Sequence, residues 1–339
     1  MTFENFTKLT GATLRNAPSI TSFENVVTEP GRVRHGDLFV GNDLSAIETA
    51  IAQGAHGIVC ETRIPILDPE IAWFQTDSVK QTLMKLLRFL LLHKKMHFFY
   101  LEPVAFAYLK ALMPHKRAIF LDHDYRHTFR RLQEASSETM IFSDDKTLLE
   151  TIYPEFTTIE TTNAYNLKIT HHTLFQSSFL YRGRYHPRIK VPPLFISEYA
   201  TVLEFCRKHK IEIDIAKTPF IPHFYPFFVN QNLKLRRYGT TDHVLIVEEE
   251  TGLIEKEYLY LKREAGWAKI VLLLPPETKA PFLSNPAQKI ECKSLTDLQH
   301  LKEVDFHFAI VAQKSAIIRE FLEQRDQKEN NPLLKESYD

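Results

Sequence analysis

The sequence predicts an α/β protein in three regions: a small N-terminal α/β domain, a central α/β domain, and a C-terminal doubly wound, Rossmann-like domain. Two observations carry this expectation. Apolar runs rich in Val, Ile and Phe alternate with stretches of helical period, the pattern of layered sheets and helices rather than of a bundle or a sandwich. At 339 residues the chain is also long enough for two or three domains, each burying its own core.

Composition narrows the function classes. The chain is 44% hydrophobic and 25% charged, with a formal net charge of zero. That balance fits a soluble globular protein and gives no whole-chain attraction to nucleic acid or an anionic membrane, so neither is an expected partner. Cys60, Cys206 and Cys292 are far apart in apolar or helical settings, which implies no disulfide framework or zinc site and fits a reducing cytoplasm. The most apolar run, Leu83 to Leu92, is short and carries Lys85 and Arg88, and the chain opens without a basic leader. Neither a signal peptide nor a membrane span is expected.

The elements follow in order. Region 1–93 reads as strands at Asn25–Val27, Asp37–Gly41 and Gly57–Cys60 around a helix over Leu44–Gln53, closed by a helix over Val79–Leu92. Region 94–239 has strands at His97–Leu101, Ala118–Leu121 and Thr139–Phe142 and helices at Val104–Met113 and Lys146–Ile152. It continues with a hairpin-like alternation about Arg182 and Gly183, a helix over Ser197–His209 and an irregular Pro-rich connector over Pro219–Phe228. Region 240–324 repeats strand and helix: His243–Glu248, Leu253–Glu264, Lys269–Leu274, Leu295–Leu301, Phe308–Ala312 and Ala316–Glu323. The polar tail 325–339 is expected to be disordered.

Several phrases recur in the register of a known family. "FENFTKLTGATL", "RVRHGDLFVG", "AIETAIAQGAHGIVCE" and "IAWFQTDSVKQTLMKLLRFL" resemble, in order and spacing, the N-terminal UDP-binding domain of Mur ligases, nearest to the type that adds D-alanyl-D-alanine. Val244–Glu250 and Phe308–Leu322 are similar, more faintly, to the C-terminal domain of that family. The resemblance implies a bacterial, cytoplasmic protein of peptidoglycan synthesis with a Mur-ligase-like three-region architecture.

The departures from the family carry as much information. Where family enzymes have a Gly-rich loop ending Gly-Lys-Thr, this chain has Glu102, Pro103, Val104, Ala105, Phe106 and Ala107, with Phe106 in place of the lysine and Ala107 in place of the threonine. No glycine occurs between Gly57 and Gly183, so no phosphate-cradling loop can be recovered by shifting the alignment. Glu102 also repels a triphosphate. The central region is a reduced version of the family's ATPase domain, and neither its modified lysine nor its His and Asn box is recognisable near Ser197 and Glu198. The nucleotide-contacting Arg and Asp of the third domain are replaced by Glu248–Thr251 and Gln313–Ser315. ATP-dependent ligation and a bound cofactor are therefore not expected.

For the UDP-type pocket the resemblance points to Thr28, Arg32, Arg34, Gly41 and Asn42, of which the arginines and the amides around Gly41 could hold a diphosphate. Asp122, His123, Asp124 and His127 are the densest group of candidate metal ligands, with a helix-capping loop as the favoured alternative. His171 and His172 read as exposed turn residues, and Glu248, Glu249 and Glu250 as a solvated strand end. The aromatic stretch around Phe224, Tyr225 and Phe227 fits either a core or an exposed partner surface. The leading functional expectation is a non-catalytic Mur-ligase-like scaffold or regulator that binds a UDP-muramoyl precursor or a cell-wall synthesis protein. An enzyme of another type using a site near Asp122–His127, and a purely structural interaction protein, remain the alternatives.

Overall fold

Alternate residues of the first strands sort onto two faces of one sheet, because side chains along a strand point to opposite sides. In the computed structural model, which describes residues 1–113, 118–161, 166–283, 285 and 288–330, this sheet contains β1 (Thr13–Leu14), β2 (Val26–Val27), β3 (Leu38–Val40), β4 (Gly57–Cys60) and β5 (Ala72–Gln75). Their order is β1-β5-β4-β3-β2, with β2 to β5 parallel and β1 antiparallel at the edge. Phe39, Ile58, Cys60 and Trp73 bury one face against Ile47 and Ala50 of α2 (Leu44–Ala52). Leu38, Val40, Val59 and Phe74 bury the other against α1 (Phe3–Thr10) and α3 (Val79–Leu91).

The same core extends past α3 to a second, all-parallel sheet. It is ordered β7-β8-β6-β9 and built from β6 (His97–Tyr100), β7 (Ala118–Phe120), β8 (Met140–Ser143) and β9 (Thr157–Thr158). Phe98 and Ile141 of this sheet, and Phe129 and Leu132 of α5 (Tyr125–Glu134), share one buried cluster with Leu83 and Leu87 of α3. Together with α6 (Lys146–Ile152) these elements form a unit spanning Met1–Leu101 and Pro114–Ile159. The Lys94 ammonium fixes the end of α5, donating to the carbonyls of Leu132, Gln133 and Ala135 at 3.1, 2.6 and 2.9 Å. A cation there complements the negative end of the helix, and burial pulls the lysine pKa below its ordinary value.

The second unit comprises Glu102–Met113 and Glu160–Asp339. In it α4 (Pro103–Leu112) packs on α7 (Ile196–Lys208), with Tyr108 edge-on to Tyr199 at 5.1 Å. A three-stranded antiparallel sheet of β10 (Leu167–His172), β11 (Ser177–Tyr181) and β12 (Arg184–Ile189) turns at Arg182 and Gly183. Both turn residues have positive φ, 50° and 81°, so glycine relieves strain at the second. The final sheet is ordered β13-β14-β17-β15-β16 and contains β13 (Tyr225–Val229), β14 (His243–Glu248), β15 (Ile270–Leu274), β16 (Lys289–Glu291) and β17 (Phe308–Ala312). Four strands are parallel and only β13 is antiparallel, with α8 (Ile254–Glu264) and α9 (Ser315–Asn330) completing the doubly wound domain.

Three sequence expectations change. The connector over Pro219–Phe228 contains β13, whose Pro226 is tolerated because the strand lies at a sheet edge. Its aromatic run belongs to the core: Phe224, Phe227 and Phe228 are buried, and the Phe224 ring meets Phe175, Phe195 and Tyr260. The segment expected to be disordered from 325 is helical as far as Asn330, in keeping with its Gln, Arg, Lys and Glu content, while the remainder, 331–339, lies outside the described residues. The short helix expected at Leu295–Leu301 is a 3-10 helix over Leu295–Lys302.

Candidate functional site

The C-terminal end of β2 opens into a cleft of about 650 Å³ within the first unit. Thr28, Arg32 and Arg34 line it together with Glu29, Arg130 and Glu134. Its loop is braced from below by the buried Asp37, which accepts hydrogen bonds from the Arg34 amide at 2.9 Å and Asn25 Nδ2 at 3.1 Å. A 3-10 turn over Pro30–Arg32 then brings Arg32 towards α5.

Charges in this cleft are interleaved. Arg32 meets Glu134 at 2.9 Å and Glu29 at 3.5 Å, and Arg130 donates to Glu29. The Arg34 side chain is exposed and makes no ion pair among the described residues. Solvent-accessible ion pairs of this kind are worth about 0–1 kcal/mol, so an incoming di-anion can exchange with Glu29 and Glu134 at small cost.

Gly41 and Asn42 do not line the cleft. Gly41 is needed for packing, since a Cβ there would approach the Phe39 ring to 2.9 Å. Asn42 forms a clamp with Glu61, donating to its carboxylate at 3.2 Å and accepting from its amide at 2.8 Å. Glu61 in turn accepts from the Val79 amide at the start of α3 at 2.6 Å. This strand-end clamp was not legible as such, because its partners are separated by an entire α/β unit.

The Glu102–Ala107 segment contains no loop. β6 ends at Tyr100, only Leu101 and Glu102 intervene, and α4 begins at Pro103, with Ala105 and Phe106 already buried on the helix. Asp122–His127 forms a helix cap. Asp124 accepts from the amides of Arg126 at 2.9 Å and His127 at 3.2 Å, and Asp122 accepts from the Asp124 amide at 3.1 Å and faces His127 Nδ1 at 2.6 Å. Among the described residues no three His, Cys, Asp or Glu side chains converge as metal ligands. Asp122 and His123 do reach a second cleft of about 550 Å³ beside Lys80, Met84 and Arg88.

Glu248 overturns the expectation of a solvated strand end; only Glu249 and Glu250 are exposed. Its carboxylate is fully buried and takes His223 Nδ1 at 2.7 Å, the Phe224 amide at 3.1 Å and the Glu250 amide at 2.7 Å. Burial works against ionisation of Glu248, but its hydrogen bonds, first among them that to His223, hold the pKa below the ordinary carboxylate value. Beside it lies the equally buried Glu257, whose two oxygens have no hydrogen-bond partner of good geometry among the described residues. Burial, and then the charge of Glu248, push the Glu257 pKa well above the usual range, which favours its neutral form. The available signal was helical spacing: Ile254, Glu257, Tyr258 and Leu261 form the buried stripe of α8, with a carboxyl in an apolar position.

The architecture is α/β with several parallel-sheet layers, the last of them doubly wound. More specifically, the fold is Mur ligase-like. The chain is similar to the MurF ligase from Thermotoga maritima, determined in complex with ADP, at 14% identity and a TM-score of 0.54, over 90% of this chain and 98% of that one. A second similar structure is the UDP-N-acetylmuramoylalanyl-D-glutamyl-2,6-diaminopimelate--D-alanyl-D-alanyl ligase from Acinetobacter baumannii, at 8% identity and a TM-score of 0.49, over 95% of this chain and 98% of that one. No protein-family model matches the sequence. No curated protein matches it either. Among the described residues no helix is long and apolar enough to cross a membrane.

Proposed function

We propose that this chain is a non-catalytic relative of the Mur ligases, which binds a UDP-muramoyl precursor or a Mur enzyme as a scaffold or regulator of bacterial cell-wall synthesis in the cytoplasm. The observation that carries this reading is the passage from β6 to α4 through Leu101 and Glu102 alone. A phosphate cradle needs a run of free backbone amides and a cation. Here the corresponding backbone is committed to helix within two residues, and the buried Phe106 side chain stands where the family has lysine. By contrast, the cleft at Thr28, Arg32 and Arg34 keeps three arginines, counting Arg130, within reach of a diphosphate.

Thermal melting in the presence of UDP-muramoyl peptide, UDP or ATP tests this, because a ligand that binds only the folded state raises the melting temperature by mass action. Stabilisation by the muramoyl nucleotide, abolished in Arg34→Ala, is the expected result. Stabilisation by ATP accompanied by phosphate release would sink the non-catalytic reading. If the muramoyl nucleotide has no effect and no Mur enzyme co-purifies, the scaffold reading falls as well.

A further inference from the structure

Residues four apart on a helix share one face, and on α3 Met84 stands midway between Lys80 and Arg88. An apolar side chain is thus flanked by a cation one turn to either side, and with Lys85 these residues line one wall of the second cleft, of about 550 Å³. The facing wall is supplied by the segments that follow two parallel strands. Asp122 and Tyr125 come after β7, and Asp145, Leu148 and Thr151 come after β8. In open α/β sheets ligands bind in crevices outside the carboxyl ends of strands, which is where this wall lies. Both walls belong to the first unit.

The charges of the cleft are not equally available. Asp145 accepts from the Leu148 amide at 2.9 Å as the cap of α6, and Asp122 is held by the Asp124 amide and His127. The Lys85 ammonium donates to the Thr10 carbonyl at 2.7 Å. Lys80 and Arg88 are exposed, and among the described residues neither has an ion pair or a hydrogen bond. The uncommitted charge is therefore positive and lies on the α3 wall. Beside it the lining is apolar: Met84 is buried, and Tyr125 and Leu148 are half-buried against the same core cluster. We infer that this cleft binds a small organic anion, a carboxylate or phosphate headgroup carried on an apolar or aromatic body.

Size and chemistry both point to such a ligand. The cleft falls within the range of about 300–1,000 Å³ in which small-molecule sites lie. The Arg88 guanidinium offers a fork that fits either headgroup bidentately, and Lys80 adds a point charge. A bare inorganic anion would leave the Met84, Tyr125 and Leu148 surface in water, and a neutral aromatic would leave both cations without a partner. Affinity therefore requires the two halves in one molecule. The inference is independent of the proposal for the Arg32 cleft, with which this cleft shares no lining residue.

The test is calorimetric titration of the full chain with phenyl phosphate and phenylacetate, two headgroups on one aromatic body, and with inorganic phosphate and benzyl alcohol as the separated halves. At least one phenyl anion should bind about tenfold or more tightly than either half, and the tighter of the two identifies the headgroup. The double variant Lys80→Glu/Arg88→Glu should weaken that binding by about tenfold or more. Thr151→Trp, at an exposed position of the lining, should fill the cleft and abolish it. Melting temperatures report whether each variant folds, and if one does not, the other decides. No binding of either phenyl anion, binding no tighter than that of inorganic phosphate or benzyl alcohol, or binding unaltered in a folded variant overturns the inference.

Discussion

The cleft at Arg32 and the carboxyl pair at Glu248 set glutamates in opposite surroundings. Glu29 and Glu134 lie near solvent, each facing an arginine, and their pairs can open to admit a ligand. Glu248 and Glu257 have no solvent access, so one must keep its proton and the other must be fully hydrogen-bonded. The contrast teaches that residue type alone does not say whether a charge is exchangeable or structural; access to water does.

The strongest way to break this comparison is Glu248→Ala. It would strand His223 and the amides of Phe224 and Glu250 in the interior, and we predict a loss of about 3 kcal/mol, read as a fall in melting temperature of roughly 6–12 °C. A loss below about 1 kcal/mol would mean that the site is wetter than its burial indicates.

Next in size is Glu257→Gln, which keeps the shape but removes the ionisable proton. Because the folded pKa of Glu257 is raised, its contribution to stability is fully present below the unfolded value near 4.5 and is lost as pH rises towards the folded pKa. Glu248, with a lowered folded pKa, acts in the opposite sense and loses its contribution as pH falls through that pKa. The amide variant should therefore melt higher than the parent at pH 8, by about 3 °C or more, with little gain at pH 4. The same shift at both pH values would refute a neutral Glu257.

The smallest expected effect sharpens the other half of the comparison. Glu134→Gln frees Arg32 from an exposed pair and should change stability by less than about 1 kcal/mol in chemical denaturation. It should also tighten UDP binding in calorimetry, since one competing carboxylate is gone. Weaker UDP binding would show that Glu134 orients the arginine rather than competing for it.

Much of the layered architecture was legible in residue order. The apolar runs at Leu38–Val40 and Gly57–Cys60, the buried stripe of α3 and the strand–helix repeat from His243 to Ala312 are local patterns, and the observed elements follow them closely. The Asp124 cap was also readable, because capping joins a side chain to amides two and three residues on.

What the sequence determined by itself, then, was whatever depends on neighbours within a few positions: periodicity, caps, the Arg182–Gly183 turn, and the want of glycine where β6 meets α4. Tertiary structure alone decided the rest. It turned an aromatic connector into β13 and core, joined Asn42 to Glu61 and Glu61 to the start of α3, and brought His223, Glu248 and Glu257 together across 34 positions of chain. The physical reason is that burial and hydrogen-bond partnership are properties of the packed interior, where distant segments supply one another's solvent.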